Sequence, residues 1–400
     1  MQTVEVRIPG QFWDSFIYND RLYLFTLNGD IQSYRWDKLV ESVAISIDAD
    51  CRPLFWQFLA RGQAWYSREL QKLLESPKIL NEIKKLTDLI TSHPHQVSSK
   101  ILKETLIETT GSPAHPHTDV EAFHNTLYIS SPSGVRAAPL SRRLSNNFKM
   151  LVDIPALRMA CSYGSMAVAA GSDGMYDQVL TSFEDFPRRP EPRQLSPRNC
   201  IACSWSSFDV IGTAGAGDAG FVAAFAKPQK DETESGLSSI TTTSRQLLDV
   251  IGSDDLFQAS DGLLFGADNL LVMTSLSSIY VDGWNPYRRR EDRGVDLQKS
   301  LFSKYALTVD ELTDAAIDGA VAVFGVAIEM DSALLVRGVS GDISGFGEPV
   351  NWRTYPRSRR YLNQLHVTYD DYLSIFAFVD DYFISDQARS PAAASRPRPG

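Results

Sequence analysis

Two stretches of the chain nearly repeat each other 42 residues apart. Ala160-Cys161-Ser162-Tyr163-Gly164-Ser165 is echoed by Ala202-Cys203-Ser204-Trp205-Ser206-Ser207, and each leads into a short apolar run and then glycines. A fixed period constrains the fold strongly, because each copy must build the same small unit and bury its faces against its neighbours. The pattern extends beyond this pair. An aromatic residue, an apolar run and a glycine eleven positions on recur from Tyr18 to Gly29, from Phe123 to Gly134 and from Tyr163 to Gly174. Trp205 reaches Gly217 in twelve. Asn19-Asp20 and His124-Asn125 supply turn residues ahead of a strand, and Asn28-Gly29 and Asp173-Gly174 suit hairpins whose central positions need positive φ. Weaker copies occupy residues 262–273, 319–336 and 369–376, with 379–385 expected as the next strand of the last one.

Strand-rich repeats of about 40–45 residues are the sequence signature of propeller blades. On its internal repeats alone the chain resembles the β-propeller superfamily, with no specific family indicated. Candidate blades lie near residues 18, 123, 163, 205, 260, 319 and 369. The expected fold is therefore all-β, a propeller of seven blades, with six or eight as alternatives. Val4-Glu5-Val6-Arg7-Ile8 alternates with period two and is placed to pair with the last blade and close the ring.

Between the first two candidate blades the spacing widens to 105 residues. The excess carries Leu59, Leu70, Leu73, Leu74, Ile79, Leu80, Ile83, Leu86, Leu89 and Ile90 at helical spacing, with charged residues between. Helices are predicted near 54–75, 77–92 and 98–108, the second starting at Ser76-Pro77. The expected organisation is a first blade and ring closure over 1–53, a helical insertion between the first two blades over 54–110, the remaining blades over 111–386 and a disordered tail over 387–400. Residues 227–245 read as a polar loop.

A net charge of −10 argues against general nucleic-acid or anionic-membrane binding. No apolar stretch reaches membrane-span length, and the opening residues lack a signal-peptide profile. Four cysteines in 400 residues do not make a disulfide framework. The reading is a soluble cytoplasmic protein.

Local motifs do not define a reaction. Residues 212–221 contain Gly-x-Gly-x-x-Gly, and their Gly-Ala-Gly-Asp core resembles the signature of ribokinase-like sugar kinases. That resemblance covers ten residues and implies Asp218 as a base and glycine amides as an anion hole. The residues themselves read better as a glycine-rich hairpin, because a strand-like run follows where a phosphate site needs a helix. His93, His95, His115 and His117 are weak metal candidates, since a proline inside each pair splays the imidazoles. Cys200 and Cys203 form a lone Cys-x-x-Cys on a strand, and Cys203 is the repeat mate of Cys161, so both read as small buried residues. No Gly-x-Ser-x-Gly elbow occurs.

Arginines interleave with aromatics at Tyr287, Arg288, Arg289 and Arg290 and at Trp352, Arg353, Tyr355 and Arg357, the composition of protein-contact hot spots. The expectation is a non-catalytic scaffold or regulatory subunit, part of a multi-subunit complex, that binds a protein through its helical insert and these loops. No cofactor is expected, and nucleic acid is the less favoured partner of the Arg-rich loops. The alternative is a propeller enzyme of glycosidase or lyase type, with dispersed carboxylates at the channel mouth.

Overall fold

A computed structural model describes residues 1–66, 68–140, 144–180, 190–206, 208–215, 218–226, 245–257, 262–267, 270–275, 278–283, 306–308, 315–338 and 341–379. The described strands group into seven sheets, antiparallel but for one short parallel pairing, and nearly all are meanders in which each strand pairs with the next in sequence. The fold is an all-β β-propeller. Two compact units divide the chain, Met1–Ser112 with Ala320–Gly400, and Pro113–Gly319.

The Pro113–Gly319 unit contains four of the sheets. The second sheet comprises Asp119–Phe123, Thr126–Ser131, Gly134–Pro139 and Lys149–Val152, and the third Arg158–Ser162, Ser165–Ala169, Met175–Val179 and Arg193–Ser196. The fourth comprises Ala202–Ser206, Asp209–Thr213, Phe221–Phe225 and Leu247–Gly252, and the fifth Leu264–Ala267, Leu270–Ser275, Ser278–Gly283 and Ala306–Thr308. Their first strands lie side by side, so apolar faces meet between neighbouring sheets. One such core joins Tyr128, Val135 and Leu151 to Met159, Met166 and Val168, and the next joins Ala167 and Met175 to Trp205, Val210 and Phe221.

The other unit holds the first sheet (Phe12–Tyr18, Arg21–Thr26, Asp30–Arg35 and Leu106–Gly111) and most of the sixth, whose Ala316–Ala322 strand crosses the unit boundary before Gly325–Met330, Ala333–Gly338 and Ile343–Gly345. The seventh runs Asn351–Thr354, Gln364–Thr368, Tyr372–Phe378, then Thr3–Pro9 and the short His95–Gln96. Thr3 pairs with Phe378 and Pro9 with Tyr372, so the first described strand lies against the last one described. Val4, Val6 and Ile8 point into the core, as the alternation requires. The expected strand at 379–385 is not the neighbour of Tyr372–Phe378 on that edge. Thr3–Pro9 occupies the position, and residues 380–385 lie outside the described range.

The inner hairpins are set by left-handed turn residues. Tyr18 pairs with Arg21 across Asn19 (φ 46°) and Asp20 (φ 63°), and Phe123 with Thr126 across His124 (φ 47°) and Asn125 (φ 57°). Ser162 pairs with Ser165 across Tyr163 (φ 47°) and Gly164 (φ 71°). Positive φ at both centres matches the right-handed twist of the flanking strands. The 42-residue echo is therefore not the structural register. Ser162 ends its strand before a turn at Tyr163, whereas Ser206 ends its strand opposite Asp209. The hairpins are two residues out of step with the echo, and an even slip leaves every side chain on its original face. Tyr163 consequently sits exposed in a turn, while Trp205 is buried in a strand with its Nε1 donating to the Ala160 carbonyl at 2.8 Å.

The insert helices do not fall between two sheets; only the short helix Ser253–Phe257 does so among the described residues, after the fourth sheet. They interrupt the first sheet, between its third strand, Asp30–Arg35, and its fourth, Leu106–Gly111. They are α1 (Trp36–Ala44), α2 (Arg52–Ala60), a 3-10 turn (Gly62–Tyr66), α3 (Arg68–Leu74), α4 (Pro77–Thr91) and α5 (Ser99–Thr105). The predicted 98–108 helix is shorter because its last residues enter the sheet edge. The α2 C-terminus is fixed to the seventh sheet. Its orphan carbonyls at Phe58 and Leu59 accept from Asn363 Nδ2 (3.1 Å) and Gln364 Nε2 (2.5 Å). Trp36 Nε1 also reaches Leu59 O at 3.0 Å, locking α1 to α2. The tail 387–400 and nearly all of the 227–245 loop lie outside the described residues.

Valine pays a steric penalty in left-handed backbone that glycine does not. Asn125→Val is expected to lower stability by about 1–2 kcal/mol and Asn125→Gly to change it little, as read by equilibrium urea unfolding.

Candidate functional site

The first strands of four sheets carry a charged residue four positions before their ends: Asp14, Asp119, Arg158 and Asp318. In the Pro113–Gly319 unit, Arg158 reaches Asp318 at 2.8 Å and Asp119 at 3.9 Å. Asp119 also accepts the amides of Val120 (2.8 Å) and Met159 (2.9 Å). These carboxylates are held by one guanidinium and by backbone. A glycosidase pair instead needs one acid free to protonate the leaving group.

In the other unit, Asp14 is buried and binds Arg353 at 2.7 Å, and the guanidinium lies over the Phe16 ring at 5.4 Å. Beside this pair stands a fully buried histidine. His366 Nδ1 lies 3.0 Å from Ser15 Oγ and 3.1 Å from Tyr355 Oη, and its Nε2 lies 3.3 Å from Gln364 Oε1. Gln364 directs its amide nitrogen to Leu59 O, so its oxygen faces the ring. Nε2 therefore carries the proton, and Nδ1 accepts from the hydroxyls. Burial, with Arg353 adding to it, pushes His366 down to about 3. An imidazole so reluctant to ionise is a poor base for Ser15. The arrangement satisfies a polar core.

Arg353 and Tyr355 thus point inward rather than presenting a contact surface. Trp352 is buried too, its Nε1 donating to Glu329 at 2.7 Å. The strand's alternation sends Trp352 and Arg353 to opposite faces, and both faces are covered. Arg357 is exposed, and residues 287–290 lie outside the described range.

The histidine pairs do not converge on an ion. The His93 and His95 rings stand 4.9 Å apart rather than splayed, but His95 Nε2 is engaged by the Ile90 carbonyl at 2.8 Å. Among the described residues no group of three or more His, Cys, Asp or Glu is placed to hold a metal. Burial pushes the Cys200 thiol up to about 12 and raises Cys203 well above its ordinary value, so neither is poised to become a thiolate. Gly212 pairs with Phe221 in an antiparallel hairpin, and the Phe221 ring covers the glycine where a side chain would stand. The segment is not a phosphate loop, because the strand Phe221–Phe225 follows it.

A second polar core lies in the Pro113–Gly319 unit, and the sequence carries no local sign of it. Arg245 is sandwiched between Trp205 (4.4 Å) and Phe225 (3.9 Å) and pairs with Asp177 at 3.2 Å. Asp177 also binds Arg193 at 3.1 Å and accepts from Ser165. Desolvation lowers the Arg245 guanidinium from its usual value.

No known family's sequence profile matches the chain, and no curated protein matches it. Solved structures similar to it include the computationally designed protein Ika8, 10% identical, with 94% of this chain and 100% of that chain covered at a TM-score of 0.44. The CNH domain of AfRom2 is 10% identical over 66% of this chain and 95% of that one, with a TM-score of 0.35. Hsv2 of Kluyveromyces lactis is 12% identical over 68% and 77%, with a TM-score of 0.40. The propeller assignment stands on the chain's own sheets. No helix among the described residues is long and apolar enough to cross a membrane.

Arg353→Met leaves Asp14 buried without its cation and is expected to cost about 3–5 kcal/mol, whereas Arg353→Met with Asp14→Asn costs less than the two single changes summed. Chemical denaturation of the four proteins checks this. His366 also gives a pH signature. Its folded value is depressed, so its contribution is full above about pH 6.5 and is lost as pH falls toward 3, by up to about 5 kcal/mol. Stability measured across that window should fall steeply in the native chain and less steeply in His366→Gln.

Proposed function

We propose that the protein is a non-catalytic scaffold or regulatory subunit, with each of its seven sheets a blade, that docks a protein partner on its helical insert. The observation that carries this reading is apolar exposure on α3 and α4. Leu73 is 54% exposed and Leu89 59%, and Ile79 is exposed between them in sequence. Exposed leucines on one short helical pair are the raw material of a protein contact. The inward-facing carboxylates and the Ser15–His366 pair are engaged within the chain, which fits the enzyme reading less well. The four cysteines are free, in keeping with a reducing compartment such as the cytoplasm. Trp352, Arg353 and Tyr355 leave the proposed contact, while Arg357 and residues 287–290 stay as its candidate rim.

Affinity capture from the native source, followed by mass spectrometry, tests the reading. The native chain should retain a stoichiometric protein that Leu73→Glu with Leu89→Glu loses by tenfold or more, and Arg357→Glu should weaken capture less. Equal capture by the leucine variant, or no partner for either chain, would overturn it.

A further inference from the structure

Two arginines from distant parts of the first unit meet at one hairpin turn. Asn19-Asp20 turns the inner hairpin of the first sheet, and the Asp20 carboxylate is bonded by Arg360 and by the Tyr361 hydroxyl at 3.3 Å. Arg61, the residue that follows α2, stands 3.6 Å from the same carboxylate and 2.8 Å from Asp37 of α1. Its guanidinium lies over the Trp56 ring at 4.9 Å. Arg360 belongs to the run Arg357-Ser358-Arg359-Arg360, which joins two strands of the seventh sheet and leaves Arg357 and Arg359 exposed.

The backbone holds these groups in place. The Gly62 amide donates to Arg360 O at 3.0 Å, and a Cβ at Gly62 would overlap the Asn363 amide, so glycine is what lets the insert approach the loop. Within the loop the Ser358 amide donates to Tyr355 O at 3.0 Å, and Ser358 Oγ accepts from the amides of Arg360 (3.3 Å) and Tyr361 (3.1 Å). The arginines are thus carried on a fixed frame, which spares a ligand part of the ordering cost.

Positive charge exceeds negative here, although the whole chain carries −10. Arg61 and Arg360 share Asp20 and Asp37, and the loop adds two exposed arginines. Exposed Arg35 and Lys38 flank Asp37, with Glu41 one turn further along α1. The two bound carboxylates display the chemistry that the patch recognises, since the planar guanidinium fork fits a carboxylate. The Asp20 side chain is 42% exposed, and exposed ion pairs contribute little to stability, so an incoming carboxylate can join or replace it. Nucleic acids and anionic membranes are long arrays of charge, which the field of an acidic chain opposes. A short acidic segment meets the patch alone, within the roughly 8 Å over which charge is felt at physiological salt.

We propose that this arginine patch docks an Asp- and Glu-rich segment of a partner protein. The proposal rests on the scaffold reading for its partner, but not on Leu73 or Leu89.

Fluorescence anisotropy of a labelled octaglutamate peptide with the full chain tests it. Arg357→Glu with Arg359→Glu alters only exposed side chains and should weaken binding by about tenfold or more. Lys84→Glu with Lys85→Glu makes the same change of charge on α4 and should weaken it by less than about twofold. Leu73→Glu with Leu89→Glu should do the same, so the peptide result stands apart from partner capture through the leucines. No binding by the native chain, undiminished binding by the arginine variant, or equal losses in the arginine and lysine variants overturns the proposal. Tighter binding of oligothymidylate or of phosphatidylserine vesicles than of the peptide also overturns it. Should the arginine variant fold poorly, hydrogen exchange of the native chain decides: the peptide should slow exchange over 355–363, and no slowing there contradicts the proposal.

Discussion

The strand Thr3–Pro9 is paired on both edges, and the first unit depends on it. On one side it runs antiparallel to Tyr372–Phe378 for its whole length, joining the first described strand to the last one described. On the other it takes His95–Gln96 in parallel, which brings the helical insert to the same sheet. Its inward residues Val4, Val6 and Ile8 are fully buried. A sheet completed by a strand from the far end of the sequence must close a very long loop, and the reward is an edge protected from other chains. The insert then shields the remaining edge, so that one strand serves both as closure and as mooring.

Around that seam, the units solve the same problem in two ways. Adjacent sheets bury apolar faces where they can, as in the Phe324–Phe378 stack at 3.9 Å. Many of the polar groups that face inward are matched to one another. His366 collects Ser15, Tyr355 and Gln364, Asp14 collects Arg353, and Asp177 collects two arginines. Partly satisfied networks of this kind would cost more than an apolar core, which is why each proton and lone pair has to be assigned. The insert differs in character. It is tied by its α2 carbonyls and by His95, and it leaves leucines in water, which suits a surface made for another protein.

Much of the strand pattern was legible in the residues. Asn19-Asp20 and His124-Asn125 announce turns because few other residues accept left-handed backbone. The alternation at residues 4–8 names both a strand and its buried face. Helix α4 was legible from Ser76-Pro77 and its apolar spacing. Helix α1 carries the same apolar spacing in Trp36, Leu39, Val40 and Val43. The echo misled by two residues because similar letters need not occupy equivalent strand positions. The polar cores were not legible at all. Ser15 and His366 are separated by 351 positions, and no local pattern links them. For the same reason Trp352 and Arg353 looked like surface anchors. Whether an arginine beside an aromatic faces solvent is decided by the strand laid over it.

The seam is tested most directly by native-state hydrogen exchange on the peptide spanning residues 1–9. If Thr3–Pro9 closes the sheet as described, its central amides exchange as slowly as those of 364–378, and only when the whole unit opens. Exchange at the rate of a frayed terminus, with 364–378 still protected, would show that the sheet does not need the chain's first strand and would contradict the account.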